Sequence, residues 1–370
     1  MKIGIDAFGC NHGRSGIGSY IFSLVKNIPK TKLEFQLFGP ELDKYTYTSD
    51  IDYIDFEGVD IADTEFAEKF WHFKSLNSFI KKQKYDALIY PAGTALLPPV
   101  FSVPSVPIVQ NLLSEDKNLF TQFGIKRLLK SASGIISPSQ FIKNDLIALG
   151  IPESNIRVIY NGIDDGLFKP ADNDSGETVL IQPFAIRRPY IIYASRLSGL
   201  KKHHIELIKA FSIFKRKNGT AHRLVIAGAG GDTAEAVHKA VIESGFSSDI
   251  LLTGHFPHEN LPQLYAAADL CVFPSAAEGV GLPVIEAMAC GIPAACAEAG
   301  ALPEIAGEAA VYFNPKDPED IAGKIAKLIN TADNSTYRTE IIQKGLKWVE
   351  QYNWKTTAEQ TVEYLSFILE

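Results

Sequence analysis

The chain has 370 residues, 46% hydrophobic and 21% charged, enough apolar surface for more than one core and too little charge for a disordered protein. Its formal charge of −7 argues against a general nucleic-acid binder, which would carry a basic stripe able to displace counterions from phosphates. Up to residue 170 there are 18 Lys and Arg against 19 Asp and Glu, so the acidic surplus falls mainly in the second half. Four cysteines, Cys10, Cys271, Cys290 and Cys296, are too few for a disulfide framework. The start carries no secretion-type apolar segment and no uncharged apolar run reaches about 18 residues, so a reduced cytoplasmic setting is expected.

Short apolar runs alternate with amphipathic stretches along the whole chain, the pattern of βα units on a mostly parallel sheet. Strands are expected at Ile3–Ile5, Glu34–Phe38, Ala87–Tyr90, Val106–Val109, Gly134–Ile136 and Arg157–Ile159. The first helix carries Ile17, Ile21, Leu24, Val25 and Ile28 at helical spacing and ends at Pro29. It opens on Gly13-Arg14-Ser15-Gly16-Ile17-Gly18, where Gly16 and Gly18 permit close approach of a ligand or simply shape the turn. Ile21 at the third glycine position breaks the dinucleotide fingerprint.

The alternating Asp50-Ile51-Asp52 stretch reads as the polar side of a strand rather than a metal site. Lys126, Arg127 and Lys130 with Leu128 and Leu129 form either a solvated helix face or one able to touch an anionic lipid surface.

Residues Ala171 to Arg188, rich in Asp, Asn, Ser, Gly and Pro, read as an interdomain connection. A second series follows, with strands at Tyr190–Ala194, Leu224–Ala227, Ile250–Thr253, Leu270–Phe273 and Ile292–Cys296. The expected domains are 1–170 and 171–353, with a last helix at 354–370 packing back on the first. Ligands of such doubly wound folds bind at the strand carboxyl ends, here in a cleft between the domains.

Three constellations stand at those ends. Arg196 and Lys201, five residues apart across a loop containing Gly199, can converge on one dianionic group without a metal. Lys202 is the alternative to Lys201, and spacing favours Lys201. Thr253 ends another strand and His255 follows it, within reach of a nucleotide base; His255 and His258 lack a third ligand for zinc. Gly228-Ala229-Gly230-Gly231 has Thr233 where a dinucleotide site needs glycine.

The most informative stretch runs from Pro274 to Gly291. Pro283 and Gly291 bound a short helix, and Gly279 and Gly281 bring backbone N–H groups to its N-terminus, where the dipole favours an anion. Glu278 and Glu286 flank that anion site and can accept hydrogen bonds from hydroxyls, a combination suited to a sugar nucleotide.

Glu278 to Glu286, with Gly-x-Gly-Leu-Pro between and Ala-Met-Ala-Cys-Gly after, resembles the Glu-seven residues-Glu motif of retaining glycosyltransferase family 4. The likeness extends over nearly the whole chain through Ser137 to Phe141, Tyr160 to Asp164 and Ala301 to Glu304. It implies an α/β GT-B fold of two Rossmann-like domains. It also implies that Glu286 binds ribose, that Glu278 and the backbone of Gly279, Val280, Gly281 and Leu282 hold the donor sugar and diphosphate, and that Arg196 and Lys201 clamp phosphate. Gly16 and Gly18 then border the diphosphate and the acceptor. Many members have a histidine touching the donor sugar in the loop after the strand corresponding to Val106–Val109; this chain has Gln110, which hydrogen-bonds but cannot carry a proton.

The implied function is metal-independent transfer of a hexose or deoxyhexose from a nucleoside diphosphate sugar to a hydroxyl of a saccharide or lipid-linked glycan, with no cofactor beyond that co-substrate. Acceptor contacts are expected from loops such as Ala92 to Pro99 and Leu113 to Phe120. The alternatives are a sugar-nucleotide epimerase, an inverting transferase, or a non-catalytic sugar-nucleotide-binding subunit.

Overall fold

The computed structural model describes residues 1–13, 15–48, 51, 53–111, 119–171, 178–181, 184–329 and 331–370. Asp50 and Asp52, the Leu113 end of the expected acceptor loop, and most of the polar part of the expected connection lie outside them.

In chain order the first stretch contains β1 (Lys2–Asp6), α1 (Gly16–Lys26), β2 (Glu34–Pro40), α2 (Lys44–Thr48), β3 (Asp55–Val59), α3 (Glu65–Lys74), α4 (Leu76–Gln83), β4 (Ala87–Tyr90), β5 (Ser105–Pro107), α5 (Leu119–Lys130), β6 (Ile135–Ser137), α6 (Gln140–Ala148) and β7 (Ile156–Val158). The second contains β8 (Thr178–Ile181), β9 (Phe184–Arg187), β10 (Tyr190–Ala194), α7 (His204–Asn218), β11 (Arg223–Ala227), α8 (Ala234–Glu243), β12 (Ile250–Leu252), α9 (Leu261–Ala266), β13 (Leu270–Phe273), α10 (Leu282–Ala289), β14 (Ala294–Ala297), α11 (Leu302–Ala306), β15 (Val311–Phe313), α12 (Pro318–Ile329) and α13 (Thr331–Val349). Helix α14 (Trp354–Leu369) ends the chain.

These elements form two compact units, Met1–Gly162 with Tyr352–Glu370, and Ile163–Gln351. The first holds a parallel sheet in the order β3-β2-β1-β4-β5, which a bridge between Ile108 and Ile136 continues to β6 and β7. Ile3, Ile5, Leu37, Leu88 and Ile89 have no exposed surface, each burial stabilising by about 1.5–3 kcal/mol. Helix α1 lays Tyr20, Ile21, Leu24 and Val25 into that core. Helix α14 is capped by Asn353, whose Oδ1 accepts from Thr356 N at 2.8 Å, and its Trp354 ring stands edge-on to Tyr20 at 5.3 Å.

The second unit has the sheet order β12-β11-β10-β13-β14-β15, all parallel. Its strand order reverses between β10 and β13, the switch point where a doubly wound sheet leaves a crevice at its strand carboxyl ends.

Three differences from the sequence reading stand out. Residues Ile163 to Pro170 group with the second unit rather than the first, with Phe168 against Tyr265 and Pro170 against Gly291. The polar stretch read as a connection contains the antiparallel hairpin β8–β9, whose inner residues Ile181 and Ile186 are buried. And the strand near Asp50 to Asp55 lies further on, at β3, the strand of the first sheet farthest from β5.

Candidate functional site

In the second unit, the loops after β10, β11, β12, β13 and β14 are tied together by their backbones. Ser195 N donates to Ala227 O at 2.8 Å, Leu197 N to Ala229 O at 2.9 Å, Gly228 N to Gly254 O at 3.0 Å and Ala276 N to Lys201 O at 2.8 Å. A Cβ at Gly228 would lie 2.0 Å from Ser195 O, so the close approach of these loops needs glycine there. This accounts for a Gly-rich stretch that carries no dinucleotide fingerprint.

The loop after β10 holds Arg196 exposed, then turns through Gly199, whose N donates to Asp232 Oδ1 at 2.8 Å, into a short 3-10 turn over Leu200–Lys202. Lys201 is exposed and fixes the loop through its carbonyl. Lys202, the lysine that spacing set aside, ion-pairs with Glu278. Tyr193 Oη donates to Lys202 O at 2.9 Å and so holds that lysine's backbone in place. His204, which opens α7, lies tilted against the Tyr193 ring at 4.9 Å; burial pushes its imidazole down to about 4, so it is neutral.

The loop after β13 delivers Glu278, Gly279 and Val280 to the N-terminus of α10. Gly281 caps that helix in the left-handed region at φ 71°, and a Cβ there would sit 2.9 Å from Leu302 Cδ2. No side chain caps the helix, and Pro283 lies in its first turn. The helix starts at Leu282, one residue before the sequence reading put it. From the far side, Ala301 N donates to Glu278 O at 2.9 Å, and a Cβ at Gly300 would lie 2.9 Å from that oxygen. Thus the segment after β14 buttresses the Glu278 loop, a role that only contact across the fold reveals.

Glu286 is the charged residue of an otherwise apolar helix and is 7% exposed. Burial raises its carboxyl to about 8, and among the described residues no hydrogen bond or ion pair compensates its charge. An unpaired buried carboxylate is costly and usually reflects a function or a missing partner.

Thr253 and His255 lie at the end of edge strand β12. The Thr253 hydroxyl donates to Gly254 O at 3.0 Å, and His255 is exposed; neither bonds to Glu278, Arg196 or Glu286. Gly16, Gly18 and Gln110 belong to the first unit. Gly18 is required by packing, since a Cβ would lie 2.5 Å from Gly13 Cα, whereas nothing lies within 4 Å of a Cβ at Gly16. Ser15 caps α1 through Gly18 N. Gln110 Nε2 is buried with no hydrogen-bond partner among the described residues. No cluster of three His, Cys, Asp or Glu side chains able to hold a metal occurs among the described residues. The four cysteines are buried and free.

Two family profiles match in tandem: "Glycosyltransferase Family 4" over residues 14–167 and "Glycosyl transferases group 1" over residues 180–348. The chain belongs to glycosyltransferase family 4. It is 26% identical over 248 residues to O-antigen chain mannosyltransferase B of Escherichia coli, covering 67% of this chain and 64% of that protein. It is 30% identical over 254 residues to sulfoquinovosyl transferase SQD2 of Arabidopsis thaliana, covering 66% of this chain and 47% of that protein. The matched region thus spans about half to two thirds of these relatives.

Among solved structures, sucrose-phosphate synthase of Thermosynechococcus elongatus superposes with a TM-score of 0.76 at 17% identity, over 100% of this chain and 99% of that one. Anabaena HepE in complex with UDP-glucose superposes with a TM-score of 0.74 at 22% identity, over 99% of both. The fold is GT-B, an α/β architecture of two Rossmann-like units.

Proposed function

We propose that this family 4 member is a retaining glycosyltransferase that moves a hexose or deoxyhexose from a nucleoside diphosphate sugar to a hydroxyl of a saccharide or lipid-linked acceptor, with the donor held by the second unit. One observation carries the reading: at the switch point of the second sheet the N-terminus of α10 is uncapped, the Lys202–Glu278 pair joins the loops beside it, and Glu286, buried within α10, keeps an uncompensated carboxyl. A diphosphate suits the helix end, and hydroxyls suit the two carboxyls.

In the proposed reaction the bond from the anomeric carbon to the phosphate oxygen breaks, and a bond to the acceptor oxygen forms on the same face. The acceptor proton passes to the departing phosphate oxygen, so no protein nucleophile is needed. Negative charge grows on the diphosphate, and Arg196, Lys201 and the α10 N-terminus are assigned to meet it. Fixed electrostatic partners of this kind are worth about 10²- to 10³-fold each. Glu286 is assigned to the ribose hydroxyls and Glu278, steered by Lys202, to the donor sugar.

HepE was solved with UDP-glucose, which supports a sugar-nucleotide donor, and one curated relative is a mannosyltransferase, which supports a hexose; neither fixes the base or sugar here. NMR of the product made from an α-linked donor tests the reading. An α-linked product supports it, an inverted linkage supports an inverting transferase, and a free epimerised sugar nucleotide supports an epimerase.

A further inference from the structure

The first unit has a recess with different chemistry. Helix α3, residues 94–100 and helix α5 enclose a groove of about 760 Å³. Phe73, Leu97, Val100, Ile125 and Leu128 give it apolar walls, and Lys69, Arg127 and Lys130 line it with cations. Beside it α3 shows solvent its apolar face. Trp71 and His72 are buried on one side, while Phe66, Phe70 and Phe73, four and then three residues apart, are 78%, 55% and 59% exposed on the other. The Phe66 and Phe70 rings stack at 6.3 Å, a ridge of aromatic surface facing water.

The charge on this face runs against the chain's average. Overall the protein is acidic, yet α5 brings Lys126, Arg127 and Lys130 within five residues, and the Lys126 and Lys130 ammoniums both reach the Gly150 turn. On α3, Glu65 is paired with Lys69, and Glu68 turns inward, half-buried. Among the described residues the ion pairs found do not include Arg127 or Lys130. Among the described residues no carboxylate lines the groove to receive sugar hydroxyls. Among the described residues no helix is long and apolar enough to cross a membrane.

The structure assigns this face to an anionic lipid bilayer. Phe66, Phe70 and Phe73 enter the interfacial layer, the groove takes part of an acyl chain, and Arg127, Lys130 and Lys126 meet headgroup phosphates. The assignment goes beyond the transfer reaction and is read by binding alone, so either can fail without the other.

The test is sedimentation of the full chain with phosphatidylcholine vesicles, with and without about 30% phosphatidylglycerol. The expected result is binding to the anionic vesicles that weakens at least about tenfold on pure phosphatidylcholine, in the Phe66→Ser/Phe70→Ser/Phe73→Ser variant and in the Arg127→Glu/Lys130→Glu variant. The charge-reversal pair and Phe70→Ser alone keep the test decisive if the triple variant does not fold. Absence of binding to either vesicle, or unchanged binding in the folded variants, overturns the assignment. So does a concentration-dependent dimer that Phe70→Ser abolishes while vesicles stay unbound, which would make the face a contact between two copies of this chain.

Discussion

The Lys202 ammonium donates to the Glu278 carboxylate and bridges the loops after β10 and β13, neighbouring strands at the point where the strand order of the second sheet reverses. Both side chains are partly solvated, so the pair contributes at most about 1 kcal/mol to stability. Its expected value is positional. Lys202→Met lowers donor turnover about tenfold or more while unfolding within about 2 °C of the parent. In a double-mutant cycle with Glu278→Gln the losses are non-additive, with a coupling of about 0.5–3 kcal/mol. Additive losses would show that the two act independently.

Glu286 makes a pH prediction. Burial raises its carboxyl from an ordinary 4.5 to about 8, so the folded chain favours the acid form. The cost of ionising it is absent below pH 4.5, grows as the pH rises and is complete above about 8. Glu286→Gln removes that cost, so it raises the melting temperature at pH 8.5 by about 2 °C or more beyond any change at pH 4.5. If ribose hydroxyls donate to this carboxylate, nucleotide binding at neutral pH releases a proton. Calorimetric heats then differ between buffers of different ionisation enthalpy, and this difference disappears in Glu286→Gln.

Three glycines separate backbone need from open space. Gly281→Ala forces a Cβ into a left-handed residue against Leu302 and is expected to cost about 1–3 kcal/mol and most donor binding. Gly18→Ala meets Gly13 backbone and destabilises similarly. Gly16→Ala, with nothing within 4 Å, leaves unfolding within about 0.5 kcal/mol or improves it slightly. Denaturant unfolding of the three variants checks the order, and equal losses would contradict it.

Much of this was legible in the residues. The strands Tyr190–Ala194 and Leu270–Phe273 were read to the residue because each is a short apolar run buried on both faces. Glu286 was legible because it flanks the anion site at the helix that Gly281 and Pro283 open and closes the Glu-seven residues-Glu motif. The hairpin β8–β9 was not, since the polar residues around it mask a four-residue alternation, and the three-residue β15 is too short to show a period. The choice between Lys201 and Lys202 was likewise hidden. Spacing along the chain does not report side-chain direction in a 3-10 turn, and here Lys202 reaches Glu278.

The central claim is that the second unit's loops bind and activate a nucleoside diphosphate sugar. It is tested most directly by measuring nucleoside diphosphate release from UDP-, GDP-, dTDP- and ADP-sugars by the parent chain, Arg196→Ala and Glu286→Ala. The account predicts release from at least one donor by the parent and a loss of at least about 10²-fold in both variants, with their unfolding still cooperative. No release from any donor, or near-normal release by both folded variants, would contradict it.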